Sequence, residues 1–97
     1  MSSLDDALTA IWERSRPIVA ERLTLVEAAA AAPRDEDARR AGIRASHQLA
    51  GSLGTFGMEE GTDIARELEG EFGGSADPAR VAELSARLRA LLEPRLG

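Results

Sequence analysis

His47 is the only histidine in a chain of 97 residues that contains no cysteine. That makes its imidazole the side chain best suited to nucleophilic chemistry near neutral pH, and a neutral imidazole attacks phosphorus readily. Ser46 precedes it, but adjacent helical residues diverge by about 100°, so the two cannot form a Ser–His pair. Asp5, Asp6, Glu59 and Glu60 sit where helices are expected to begin and suit helix N-termini better than paired acid–base hydrolysis. One histidine without cysteine gives no structural zinc site. No glycine-rich loop leads into a lysine, so self-phosphorylation from ATP is not expected.

The helix that must carry His47 runs from about Asp37 to Phe56. At about 100° per residue, Ala38, Ala41, Ala45, Leu49, Leu53 and Phe56 share one side with Ser52 beside them. Arg40, Ile43, Arg44, His47, Ala50, Gly51 and Gly54 share the other. His47 is therefore expected to face water, with the nearly bare positions Ala50 and Gly51 one turn beyond it. Glycine inside a helix costs about 1 kcal/mol relative to alanine, and this helix holds Gly42, Gly51 and Gly54. A bare patch beside an exposed ring lets another macromolecule's backbone approach it.

The string His47-x-Leu49-x-Gly51-Ser52-x-x-x-x-Gly57 resembles the signature of the histidine-containing phosphotransfer (HPt) domain of bacterial phosphorelays. The resemblance extends over nearly the whole chain, because the helices expected match that family in number and order. It implies a four-helix bundle that displays His47 as phosphoacceptor and exchanges phosphoryl groups with an aspartate of a receiver domain, through the ring nitrogen remote from the backbone. Such a carrier needs no cofactor of its own, Mg2+ being expected on the receiver, and its partners would be response-regulator receiver domains and a hybrid sensor histidine kinase. Arg40, Ile43, Arg44, Gln48, Ala50, Gly51 and Gly54 are then the candidate partner or phosphate contacts, and Gly57 is structural. Where many members carry lysine three residues after the histidine, this chain has Ala50, which leaves Arg40 and Arg44 to steady the phosphoryl group. Both arginines could equally form helical ion pairs with Glu36 or Asp37, and Ile43 could be one of the single apolar residues that most surfaces carry. The hydroxyl of Ser52 is expected to bond back to a helix carbonyl.

The remaining helices are read from their apolar periods and ends. Ser3 with Asp6 looks like a capping box, and Leu4, Leu8, Ile11 and Trp12 mark a short helix to about Arg14. Pro17 is tolerated only in a first turn, so a new helix is expected from about Ser15, with Ile18, Val19, Leu23, Val26 and Ala30 as its stripe, Leu25 widening it, and Pro33 as its stop. Asp35 or Asp37 can cap the helix of His47, and Gly57 can end it. Ile64, Leu68 and Phe72 define the next helix, followed by the loop Gly73-Gly74-Ser75. Asp77-Pro78 starts the last one, with Val81, Leu84, Leu88, Leu91 and Leu92 inside and Pro94 closing it. Residues 1–97 thus form a single all-α domain, an up-down-up-down antiparallel four-helix bundle with a short additional N-terminal helix.

With 12 arginines, no lysine and 17 acidic residues the net charge is −5, which disfavours nucleic acid. A hydrophobic content of 43% with clear helical periods argues against disorder. No apolar run approaches the ~20 residues needed to cross a bilayer, and no secretory signal is visible, so a cytoplasmic location is expected. The apolar stripes are just enough to fill one core, so a monomer is expected. The Met1 start favours a stand-alone chain over a fragment of a larger kinase. A phosphorelay carrier is the leading reading; a bundle that binds signalling partners without being phosphorylated is the alternative.

Overall fold

The computed structural model describes residues 3–97; the capping role expected of the Ser3 side chain lies outside what it describes. Four helices follow one another: α1 (Ser3–Ala31), α2 (Glu36–Thr55), α3 (Glu59–Gly73) and α4 (Pro78–Leu96). Each packs on two others, α1 on α2 and α4, α3 on α2 and α4, and the Cα atoms of neither diagonal pair come within 8 Å of each other. The space between them is filled by Val19, Leu23, Val26, Leu49, Leu53, Leu68, Phe72, Val81, Leu84, Leu88 and Leu92, all fully buried.

The expected short N-terminal helix is not a separate element. α1 runs through Pro17 without a break. Proline there removes one helix hydrogen bond and crowds the carbonyl of Glu13, at about 3 kcal/mol in a helix interior. Glu13 and Pro17 both face solvent, so water can satisfy that carbonyl. On the opposite side, continuity keeps Trp12 in line with Val19, Leu23 and Val26, all of them buried. Pro94 likewise lies within α4, which continues to Leu96.

The apolar residues of α1 divide differently from expectation. Leu4, Leu8, Ile11, Ile18 and Leu25 are exposed, at 37–65% of their surface. With 29 residues against 20, α1 is roughly 13 Å longer than α2. Trp12 marks where the bundle ends: its ring meets Phe56 edge-on at 5.0 Å, with the Arg95 guanidinium 5.1 Å from its centroid. Residues before it extend past that end, while Ile18 and Leu25 flank the buried stripe. A second apolar surface therefore remains on α1, contrary to the sequence expectation.

Polar pairs tie the helices together. Arg22 donates to Ser52 at 3.1 Å, so this hydroxyl serves the α1–α2 seam and does not bond back to its own helix. Arg89 grips Glu27 with two bonds of 2.8 and 2.6 Å, joining α4 to α1. The hydrogen bonds from Arg89 hold the Glu27 carboxyl below its ordinary pKa, so the pair stabilises the fold above the usual carboxylate range and fades as pH falls through the lowered value.

Ser46 is the exception to this satisfaction: it is fully buried and its hydroxyl has no hydrogen-bond partner. Leaving a buried hydroxyl unpaired costs about 1–3 kcal/mol, and alanine is also the better helix former. Ser46→Ala should raise stability by about 1 kcal/mol, read as a thermal midpoint several degrees higher. A lower midpoint would show that the hydroxyl is in fact satisfied.

Candidate functional site

α2 is fixed at both ends by local signals. The Asp35 carboxylate accepts from the Ala38 amide at 2.9 Å, capping the N-terminus. At the other end Gly57 has φ +72°, a conformation that glycine adopts without strain. There the Met58 amide donates to the Leu53 carbonyl at 2.9 Å and the Gly57 amide to Gly54 at 3.1 Å. These two bonds form a Schellman motif. The reversal is short enough that α3 begins at Glu59 and packs directly against α2.

His47 projects from α2 with 74% of its side chain exposed, and its Nδ1 lies 3.0 Å from Oε2 of Glu69 on α3. A carboxylate can only accept, so the proton of a neutral ring resides on Nδ1 and the lone pair on Nε2. Glu69 thereby orients the ring and leaves its outer nitrogen basic. No sequence signal singled it out: it lies beside the core positions Leu68 and Phe72, and either flank of such a stripe commonly carries acids. Only the register of α3 on α2 identifies it.

The other candidates divide. Arg44, Gln48, Gly51 and Gly54 are exposed on α2. A Cβ at Gly51 would meet nothing within 4 Å, so the space beside the ring is open there. Arg40 is exposed but holds Glu36 at 2.7 Å, the helical ion pair. Ile43 is only half-exposed and packs against the core.

Ala50 does not belong to the open face. It is 6% exposed, and its carbonyl lies 3.5 Å from the Thr62 hydroxyl of α3. Because α2 packs on two helices, its buried arc widens to Gly42, Ala45, Ser46, Leu49, Ala50 and Leu53. Of the expected core-side alanines, Ala38 and Ala41 are only half-buried. The core side of α2 is thus rotated toward α3, and Gly51 and Gly54, without Ala50, make up the bare patch.

The exposed ring, its oriented Nδ1 and the absence of bulk beside it suit the transfer of a group to and from Nε2. The family model described as Hpt domain matches residues 6–94, nearly the whole chain. No curated protein and no solved structure matches it.

Proposed function

Because the chain belongs to the Hpt domain family, whose members carry phosphoryl groups on histidine in phosphorelays, we propose that His47 exchanges a phosphoryl group with the aspartates of bacterial receiver domains. The observation that carries this reading is the pairing of Nδ1 with Glu69 while the ring stays exposed. The Nε2 lone pair attacks the phosphorus of an aspartyl phosphate, the P–O bond to the aspartate breaks, and the carboxylate leaves with the electron pair. The ring gains positive charge as the N–P bond forms. Glu69, accepting from Nδ1–H, offsets that charge, and the reverse step restores the neutral ring.

In this reading an up-down-up-down antiparallel bundle presents the histidine, and the receiver supplies the Mg2+. A hybrid sensor histidine kinase stands upstream, and the chain is a cytoplasmic carrier rather than an enzyme. No helix among the described residues is long and apolar enough to cross a membrane. The receiver docks on the open face of α2 around Arg44, Gln48, Gly51 and Gly54, with Arg40 and Ile43 at its margin. The domain works as a monomer.

The test is to incubate the protein with a phosphorylated receiver and Mg2+ and follow its mass. The expected product carries one phosphoryl group that is lost in acid and survives in base, where an aspartyl phosphate hydrolyses. No gain from any receiver of the same genome would favour a bundle that binds partners without phosphorylation.

Gly51→Gln tests the docking face. The open space accepts the side chain and helix propensity improves, so stability should hold or rise by up to about 1 kcal/mol. Transfer should nevertheless slow about tenfold, equivalent to roughly 1.4 kcal/mol of lost docking. A wild-type rate would show that no partner approaches this patch.

A further inference from the structure

Arg66 is the one arginine of α3, and it is exposed with no hydrogen bond or ion pair among the described residues. Its neighbours on the same flank of α3 both reach α2. Thr62, one turn before it, touches the backbone at Ala50, and Glu69, one turn after it, holds His47. Residues at i, i+4 and i+7 share a helix face, so Arg66 rises from the α2–α3 seam between those two contacts. The register agrees. Three residues back from Glu69 along α3 correspond to three residues forward from His47 along α2, which puts Arg66 level with Ala50.

What α2 offers at that level is a void. Ala50 is buried and Gly51 has no side chain, with nothing within 4 Å of its missing Cβ. No cation of α2 follows His47, since its arginines all precede it: Arg39 donates to the Phe72 carbonyl, Arg40 holds Glu36, and Arg44 is exposed on the far side of the ring. A phosphoryl group on Nε2 adds negative charge beside this gap. A guanidinium is the side chain that best matches phosphoryl oxygens, and it gives charge-assisted hydrogen bonds.

We propose that Arg66 lies across the space over Gly51 and binds the oxygens of the phosphoryl group on His47, stabilising the phosphorylated carrier from the neighbouring helix. This rests on the carrier reading above. It assigns to α3 both contacts of the reacting group: Glu69 on the inner ring nitrogen and Arg66 on the phosphoryl oxygens.

The decisive quantity is the equilibrium constant for transfer between free phosphorylated receiver and free protein, because a residue that only aids docking leaves it unchanged. Arg66→Gln should shift this constant roughly tenfold toward the phosphorylated receiver, the scale of one partly screened charge-assisted bond. Arg66→Lys should recover part of that loss. Arg87→Gln on α4, whose Cα atoms stay beyond 8 Å from those of α2, makes the same change in net charge and should stay near wild type. If Arg66→Gln matches Arg87→Gln while the wild type is phosphorylated normally, the role of Arg66 is overturned and the carrier reading stands. If the wild type never forms phosphohistidine, both fall.

Discussion

His47→Gln should accept no phosphoryl group while unfolding at nearly the wild-type temperature. The chain has no other histidine and no lysine, and its arginines stay protonated and are poor nucleophiles, so no second side chain readily takes over as an acid-labile, base-stable acceptor. The effect is all or none because the variant lacks the nucleophile itself. Stability should move by no more than about 0.5 kcal/mol, the range of surface substitutions away from caps and cores. The exposed ring contributes one solvent-accessible contact to Glu69, which glutamine can replace. Parallel incubation of wild type and variant with the same phosphorylated receiver gives the first quantity, and thermal unfolding the second. Equal labelling of the variant would move the phosphoryl group to another residue. A large loss of stability would mean that the ring supports the fold, and the transfer result would then need a milder variant.

The largest stability effect should come from a glycine on the other side of the same helix. A Cβ at Gly42 would lie 2.7 Å from the Ala29 Cβ and 3.0 Å from Cε2 of Phe72. The first atom belongs to a side chain that is all Cβ and cannot swing away without α1 moving. The second is part of the largest fully buried side chain in the core. Overpacking costs about 1–3 kcal/mol, and occasionally more; against this, replacing glycine by alanine in a helix returns about 1 kcal/mol. Gly42→Ala should therefore lose a little stability. Gly42→Val, with two further methyl groups in the same space, should lose about 3 kcal/mol, a large share of the 5–15 kcal/mol typical of a domain. The thermal midpoint should fall by ~15 °C, with an unchanged denaturant slope. A valine variant as stable as the wild type would show that α1, α2 and α3 do not meet this closely. Gly42 and Gly51 thus have opposite expected signs of substitution, although each is a helical glycine in the same element.

That contrast separates what is local from what is not. The cap at Asp77, the turn at Gly57 and the exposure of His47 were legible in the sequence, and the cap of α2 was narrowed to Asp35 or Asp37. Each depends on residues within a turn or two, where backbone geometry and helical period act regardless of the rest of the chain. The family signature around His47 is local in the same sense. Other features depended on where the neighbouring helices lie. Pro17 was expected to break α1, and its local cost is real, but burial of Trp12 on one side and Val19 on the other outweighs it. Ala50 was assigned from the period of a helix with one covered face, whereas α2 packs against two helices and its covered arc is wider, taking in Ala50 and also Gly42, which the period had placed on neither side. Leu4, Leu8 and Ile11 have a core-like period yet remain exposed, because α1 outruns its partners and a period cannot reveal the length of a neighbour. Glu69 comes to His47 only through the register of α3 on α2, and the place proposed for Arg66 depends on the same register. That register is set by the tight turn at Gly57 and by the side chains that fill the seam, through contacts between residues far apart in the chain.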